Sequence, residues 1–252
     1  MAISRRDFLK GMGAIALGGA LGLPAKAVPA SQRKRALRVA HLTDIHLQPE
    51  GVAVEGTITC LKALHESPER PDLILTGGDA VMDVFAQKAE RARTLKSLWR
   101  KVWEENCKIP SRHCIGNHDV WGWNKSRSGC TGEEPDYGKK WATELFGIEK
   151  PYYAFTQAGW KFIVLDSTFP EGEGYKARLD DEQFEWLQAE LQRTPATTHV
   201  LVLSHMPILS VCAYIDGNNE KTGNWVIPGD WVHIDARRIV NLFHRHPNVK
   251  LY

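Results

Sequence analysis

The chain has 252 residues, 25% of them charged and 43% hydrophobic, with 32 basic against 30 acidic side chains and nine Trp. That length fits one large domain or two small ones, with ample material for a core, and a mean hydropathy of -0.34 with so many aromatics excludes a mostly disordered chain. No apolar run reaches the ~18 residues of a membrane span; a formal charge of +2 argues against a dedicated nucleic-acid binder, and five Cys without a CxxC pair argue against a disulfide scaffold or a Cys-rich zinc site.

The first element is a leader. Arg5-Arg6-Asp7-Phe8-Leu9-Lys10 precedes a Gly/Ala-rich apolar run from Gly11 to Leu23, and Ala25-Lys26-Ala27 has the small-x-small spacing of a cleavage site. The paired arginines with Phe8-Leu9 resemble the twin-arginine signal of bacteria. The resemblance implies that residues 1–27 are an export signal, that the translocation machinery of that route is a partner, and that the mature protein is periplasmic or extracellular. Without those residues the balance is 28 basic against 29 acidic, so the slight positive charge belongs to the leader. An odd number of Cys leaves at least one unpaired, and most are expected as small core residues.

Along residues 28–252 short apolar runs alternate with helical patterns. Strands are expected at Leu37–Leu42 and Asp72–Thr76, a helix at Thr57–His65, and a longer helix at Val84–Glu105. Arg112–Ile115 is a further strand, followed by a long polar loop from Trp121 to Lys140. Strands at Trp160–Leu165 and Thr198–Ser204 flank an amphipathic helix at Asp181–Arg193. A second loop, Asp216–Asp230, a helix at Asp235–His244 and a strand at Val249–Tyr252 close the sequence. This alternation defines an α/β domain with helices covering a central sheet.

Four strand ends finish in metal-binding residue types. Asp44-Ile45-His46 follows the first strand, and in an extended segment its carboxylate and imidazole point the same way. Gly77-Gly78-Asp79 follows the second, where the glycines permit a tight turn and the two oxygens of Asp79 could bridge ions ~3.5–4 Å apart. Gly116-Asn117-His118-Asp119 follows the third, and His205 ends the strand before Met206-Pro207. In open α/β sheets ligand sites lie beyond the carboxyl ends of strands, where all four motifs fall.

The ordered series DxH, GGD, GNHD and a later His resembles the calcineurin-like metallophosphoesterase family over about residues 37–252. The resemblance implies a central β-sandwich flanked by helices and two metal ions, Fe, Mn or Zn. Asp44 and His46 would bind one ion, Asp79 both, Asn117 and His205 the second, and His118 would be the general acid. It implies an exported hydrolase of phosphomonoesters or phosphodiesters, acting on a small-molecule substrate through a metal-activated hydroxide. The family closes its site with Gly-His-x-His after a later strand; the sequence stops at Tyr252, so the domain is expected to be truncated before that last motif. Ser204 also stands where the family often has Gly. The alternative function is an exported binding or surface protein that keeps the fold without turnover.

The rim offers Trp121, Trp123, Lys125 and Arg127 as substrate contacts, together with Tyr214 and Lys221. His244-Arg245-His246 precedes the last strand at a helix end, and residues i and i+2 of a helix diverge by ~200°, so it cannot replace the missing motif. His41 is expected to face away from Asp44 as a packing residue. Asp83 is expected to cap the helix from Val84, and Asp119 to orient its turn.

Overall fold

The computed structural model describes residues 35–215 and 221–252; the leader expected at residues 1–27 and residues 216–220 of the second loop lie outside the described residues. Strands β1 (Val39–Leu42), β2 (Leu73–Thr76) and β3 (Ser111–His113) form a parallel sheet in that order. Then come β4 (Tyr153–Gln157) and β5 (Trp160–Val164), the hairpin β6 (Thr168–Glu171) and β7 (Gly174–Ala177), and finally β8 (His199–Leu203) and β9 (Val249–Leu251). The second sheet has the order β4-β5-β8-β9, antiparallel only at β4.

Strand alternation explains how the sheets pack. Leu73 and Leu75 meet Phe162, Val164 and Leu203 in a core between the two sheets. Ile74 points the other way, with Leu61, Leu95 and Trp99 of the helices Ala53–Glu66 and Ala89–Asn106. Ile163 and Leu165 likewise pack with Leu187, Leu191, Ile239 and Leu242 of the helices Asp181–Arg193 and Ala236–His244. The result is the expected sandwich flanked by helices. Asp180 starts its helix by accepting a 2.8 Å hydrogen bond from Gln183 N. Among the described residues no helix is long and apolar enough to cross a membrane.

Four expectations need correction. The long helix begins at Ala89, not Val84, because Val84 N donates to His118 O at 2.9 Å and Phe85 N to Asp83 Oδ1 at 2.7 Å. Asp83 therefore holds a turn instead of capping the helix. The loop from Trp121 to Lys140 is no open rim: Gly138 N donates to Trp121 O at 2.8 Å, closing it, and a helix starts at Lys139. Of the five cysteines, all unpaired, only Cys114 and Cys130 are buried, while Cys60 is exposed.

The two sheets are also joined along one edge. The Tyr153 hydroxyl accepts from His113 N at 3.0 Å and donates to His113 O at 2.8 Å, which satisfies part of edge strand β3. The His113 ring is buried, hydrogen-bonded to Thr76 Oγ1 at 2.9 Å and Ser111 Oγ at 3.2 Å, and stacked on Phe146 at 4.9 Å. Burial, with a smaller push from Arg112, lowers its pKa to about 4. The unfolded chain takes up this proton near pH 6.5 and the folded one only near 4, so the stability from the neutral ring is complete above 6.5 and lost as the pH falls towards 4. We expect this group to cost about 3 kcal/mol between pH 7 and 4, and His113→Phe to flatten that part of the profile in urea unfolding at both pH values. An unchanged profile would remove His113 as the cause.

Candidate metal centre

The site lies where the carboxyl ends of β1, β2, β3 and β8 converge, so both sheets contribute. Beyond β1 and β2 the chains stay zipped together: Asp44 N donates to Gly78 O at 3.1 Å, His46 N to Asp79 O at 3.0 Å and Leu47 N to Ala80 O at 2.9 Å. Neither Asp44 nor His46 is extended. Their φ values are 54° and 48°, and that of Asp79 is 51°, all in the left-handed region that costs a non-Gly residue energy. Asp44 and His46 therefore converge through two sharp turns, not through strand alternation.

Close approach of the loops requires glycine. A Cβ at Gly116 would lie 2.1 Å from Asp79 Oδ1, and one at Gly78 2.6 Å from His205 Nδ1. Asp119 ties the same loops together. Its buried carboxylate accepts from Ala80 N at 2.9 Å, Val81 N at 3.4 Å and Gly116 N at 2.9 Å. Burial and the charge of Asp79 raise its pKa to about 7. It orients the turn, as its position in the motif suggested.

Asp79 is the centre of the cluster, buried while Asp44 is half exposed. Its Oδ1 accepts from His118 N at 2.8 Å and lies 3.4 Å from His205 Nε2. Its Oδ2 lies 3.9 Å from both His46 Nε2 and His118 Nε2. Two groups of donor atoms, each within 4.8 Å, share this carboxylate: His46, Asp79 and His118, and Asp44, Asp79 and His205. Asn117 Oδ1 sits 2.9 Å from His205 Nε2. Imidazole nitrogens with carboxylate and amide oxygens are a donor set that suits divalent transition metals.

The hydrogen bonds fix which nitrogen faces this cluster. His205 Nδ1 is 2.8 Å from Gly77 O, and the Nδ1 atoms of His118 and His46 both approach Met82 O, the latter at 3.4 Å. In each ring Nδ1 donates to a carbonyl, leaving Nε2 to the cluster. Burial opposes charge on His205, but the hydrogen bond and charge of Asp79 outweigh it and raise the pKa to about 9. Burial would likewise raise Asp79, yet its hydrogen bond to His205 and the charges of His205 and His118 hold it below the usual carboxylate range. The pocket favours positive charge at its centre, whether a proton or a metal ion.

The expected rim residues are not brought to this centre. Trp121 is a core residue whose indole donates to Gln87 O at 2.9 Å, and Trp123 is 8% exposed in a core with Ile115 and Ala142. Neither ring is free to stack on a substrate. Lys125 donates to Thr131 O at 2.6 Å, and Arg127 lies on a separate shallow groove beside Lys88 and Arg91. His41 is exposed and shares a groove of about 480 Å³ with His205 instead of being packed away. One network escaped notice: His233 Nδ1 is 2.9 Å from Asp235 Oδ1 and its Nε2 3.3 Å from Ser204 Oγ, bracing the strand end that carries His205. The His-x-Asp spacing was the signal for it.

The sequence profile described as Calcineurin-like phosphoesterase matches residues 37–246, and the chain belongs to that family. A profile of the twin-arginine translocation pathway signal matches residues 2–22, which marks the protein for export across the membrane. Family membership implies divalent metal ions. Two curated proteins, the 3',5'-cyclic adenosine monophosphate phosphodiesterases CpdA of Escherichia coli strains K12 and O157:H7, are each 24% identical over 196 residues. The alignment covers 73% of this chain and 61% of each relative, so the chain spans less than two thirds of their length. Among solved structures, the phosphopantetheinyl hydrolase PptH of Mycobacterium tuberculosis aligns at 12% identity with a TM-score of 0.37, over 68% of this chain and 69% of that one.

Replacing Asp119 by Ala should leave buried backbone N–H groups without an acceptor and destabilise the metal-stripped protein by about 3 kcal/mol. Asp119→Asn should lose less, since an amide oxygen remains. Urea unfolding after chelation reads this directly, and an Ala variant within about 0.5 kcal/mol of the parent would show that Asp119 is not the tie.

Proposed function

We propose that the protein is an exported metal-dependent phosphoesterase with a dinuclear centre. One observation carries the reading: the buried carboxylate of Asp79 lies between His46, whose Nε2 is 3.8 Å from Asp44 Oδ1, and His205, whose Nε2 is 2.9 Å from Asn117 Oδ1. Asp44 and His46 would hold one ion, Asn117 and His205 the other, and Asp79 both. Bound there, divalent cations of the Fe, Mn or Zn type would supply an acidified water and neutralise phosphate charge. The similarity to diesterases makes phosphodiesters the first substrates to test.

His118 serves as the general acid. Its Nδ1 is committed to the Met82 carbonyl, so Nε2 faces the cleft and can give a proton to the departing alkoxide. A second reading is favoured by a specific observation: His118 Nε2 lies among the donors of His46 and Asp79 within 4.8 Å, which would make it a metal ligand instead.

The variants separate these roles. With metal supplied, Asp79→Asn should be the most damaged, and Asn117→Ala and His205→Ala should recover partly with excess metal. His118→Asn should keep its metal and lose about 10²–10⁴-fold on esters with poor leaving groups, with a smaller loss on nitrophenyl esters, whose leaving group needs no proton. Metal content and rates on both ester types are measured for each purified variant. Loss of metal from His118→Asn moves that residue to the ligand set, and no metal-dependent hydrolysis of any ester leaves the non-catalytic binding protein. Replacing Arg5 and Arg6 together by Lys should block export, seen as retention of the uncleaved chain in the cytoplasmic fraction. Normal export of that variant would refute the twin-arginine route.

A further inference from the structure

Residues 209–234 hold a disproportionate share of the exposed apolar surface. Of thirteen exposed large hydrophobic side chains among the described residues, nine lie in that stretch, with Val211 73% and Ile227 48% exposed. They are not scattered. Leu209, Val211 and Tyr214 from the outgoing limb and Ile227, Val232 and Ile234 from the returning limb line one groove of about 700 Å³, within the range of small-ligand sites. Among the described residues its walls include no Asp, Glu, Lys or Arg. Tyr214, expected at the rim from the sequence, rests on Trp225 with ring centres 5.5 Å apart.

The inner end of this groove is the strand end that carries His205. His233 N donates to Pro207 O at 3.1 Å, and the His233 ring, which lines the groove, reaches Ser204 Oγ at 3.3 Å. Ile208 and Leu209 line both this groove and the one of about 480 Å³ that contains His205. Ile208 is three residues from His205, so the apolar wall begins within ~11 Å of that donor along the backbone. The returning limb is fixed to β7, since Ala177 N donates to Gly229 O at 2.7 Å and Ile234 N to Ala177 O at 2.9 Å. Both limbs are thus tied at their base while their outer apolar side chains stay uncovered.

We propose that this groove takes a hydrocarbon chain carried by the ester. The substrate is then an amphiphilic phosphate ester, whose phosphate sits at the candidate centre and whose chain runs past Pro207 between the two limbs. This rests on the phosphoesterase reading. Each methylene withdrawn from water by these walls adds to binding, so affinity rises with chain length. A second phosphate or other charged group finds no opposite charge along the groove and would lose its hydration without compensation.

The test uses the full chain loaded with Mn²⁺ and two phosphonates that cannot be hydrolysed, octylphosphonate and ethylphosphonate, below micelle-forming concentrations and with affinities from calorimetry. The octyl compound should bind about thirtyfold more tightly, and Leu209→Ser with Ile227→Ser should bring the two within about threefold. Val52→Ser, at an exposed valine outside the loop, should leave the preference intact. Equal binding of the two compounds, no binding of either, or a preference that survives the double variant overturns the proposal. If a chain that binds both phosphonates equally adsorbs to phosphatidylcholine vesicles or sediments as a dimer, the loop is a contact for a membrane or a second copy, and the chain site is again overturned. Turnover of octyl phosphate and methyl octyl phosphate is followed in parallel. Chain-selective phosphonate binding without metal-dependent turnover of either ester would support the groove and count against the hydrolase reading alone.

Discussion

Everything at the candidate centre depends on one buried carboxylate that binds only backbone. Asp119 gathers N–H groups from the loop after β2 and from its own loop after β3. Those loops carry Asp79 on one side and Asn117 with His118 on the other. A carboxylate in such a place is costly to bury and has to be fully hydrogen-bonded to persist. That cost accompanies a second one, the left-handed backbone at Asp44, His46 and Asp79. Strained residues survive where the surroundings over-determine them, and here the ladder from Asp44 to Leu47 supplies the constraint.

Two sheets feed the site because the sandwich brings their carboxyl edges together. The loops from β1, β2 and β3 supply most of the donor atoms, whereas His205 arrives from the second sheet, braced by Ser204, His233 and Asp235. The apolar layer of Leu73, Leu75, Phe162 and Val164 sets the spacing between these contributions. Packing far from any polar group therefore governs the geometry of the cluster.

Much of this was legible in the sequence, for identifiable reasons. The buried strands announced themselves as apolar runs, and Asp181–Arg193 by its amphipathic period. The four polar motifs stood out because each follows a strand and combines metal-binding types in a fixed order. Backbone detail was hidden: nothing in Asp44-Ile45-His46 reveals two residues at positive φ. The start of the long helix was misplaced because Val84 and Phe85 have helical spacing but give their N–H groups to His118 and Asp83. Trp121 and Trp123 looked like rim residues because polar neighbours surround them in sequence, yet the loop folds back on itself and buries both. Tertiary closure of that kind leaves no periodic trace.

The carbonyl of Met82 receives Nδ1 of two imidazoles from different loops, His46 and His118. A main-chain oxygen has no codon of its own. Substitution of the half-exposed Met82 side chain leaves the acceptor in place, so the identity of residue 82 can drift while its location cannot. What inheritance must preserve here is the count of residues between Asp79 and Val84: one insertion or deletion would rotate the oxygen away from both rings and release two tautomers together. Length, not composition, is the heritable quantity in this stretch of the chain.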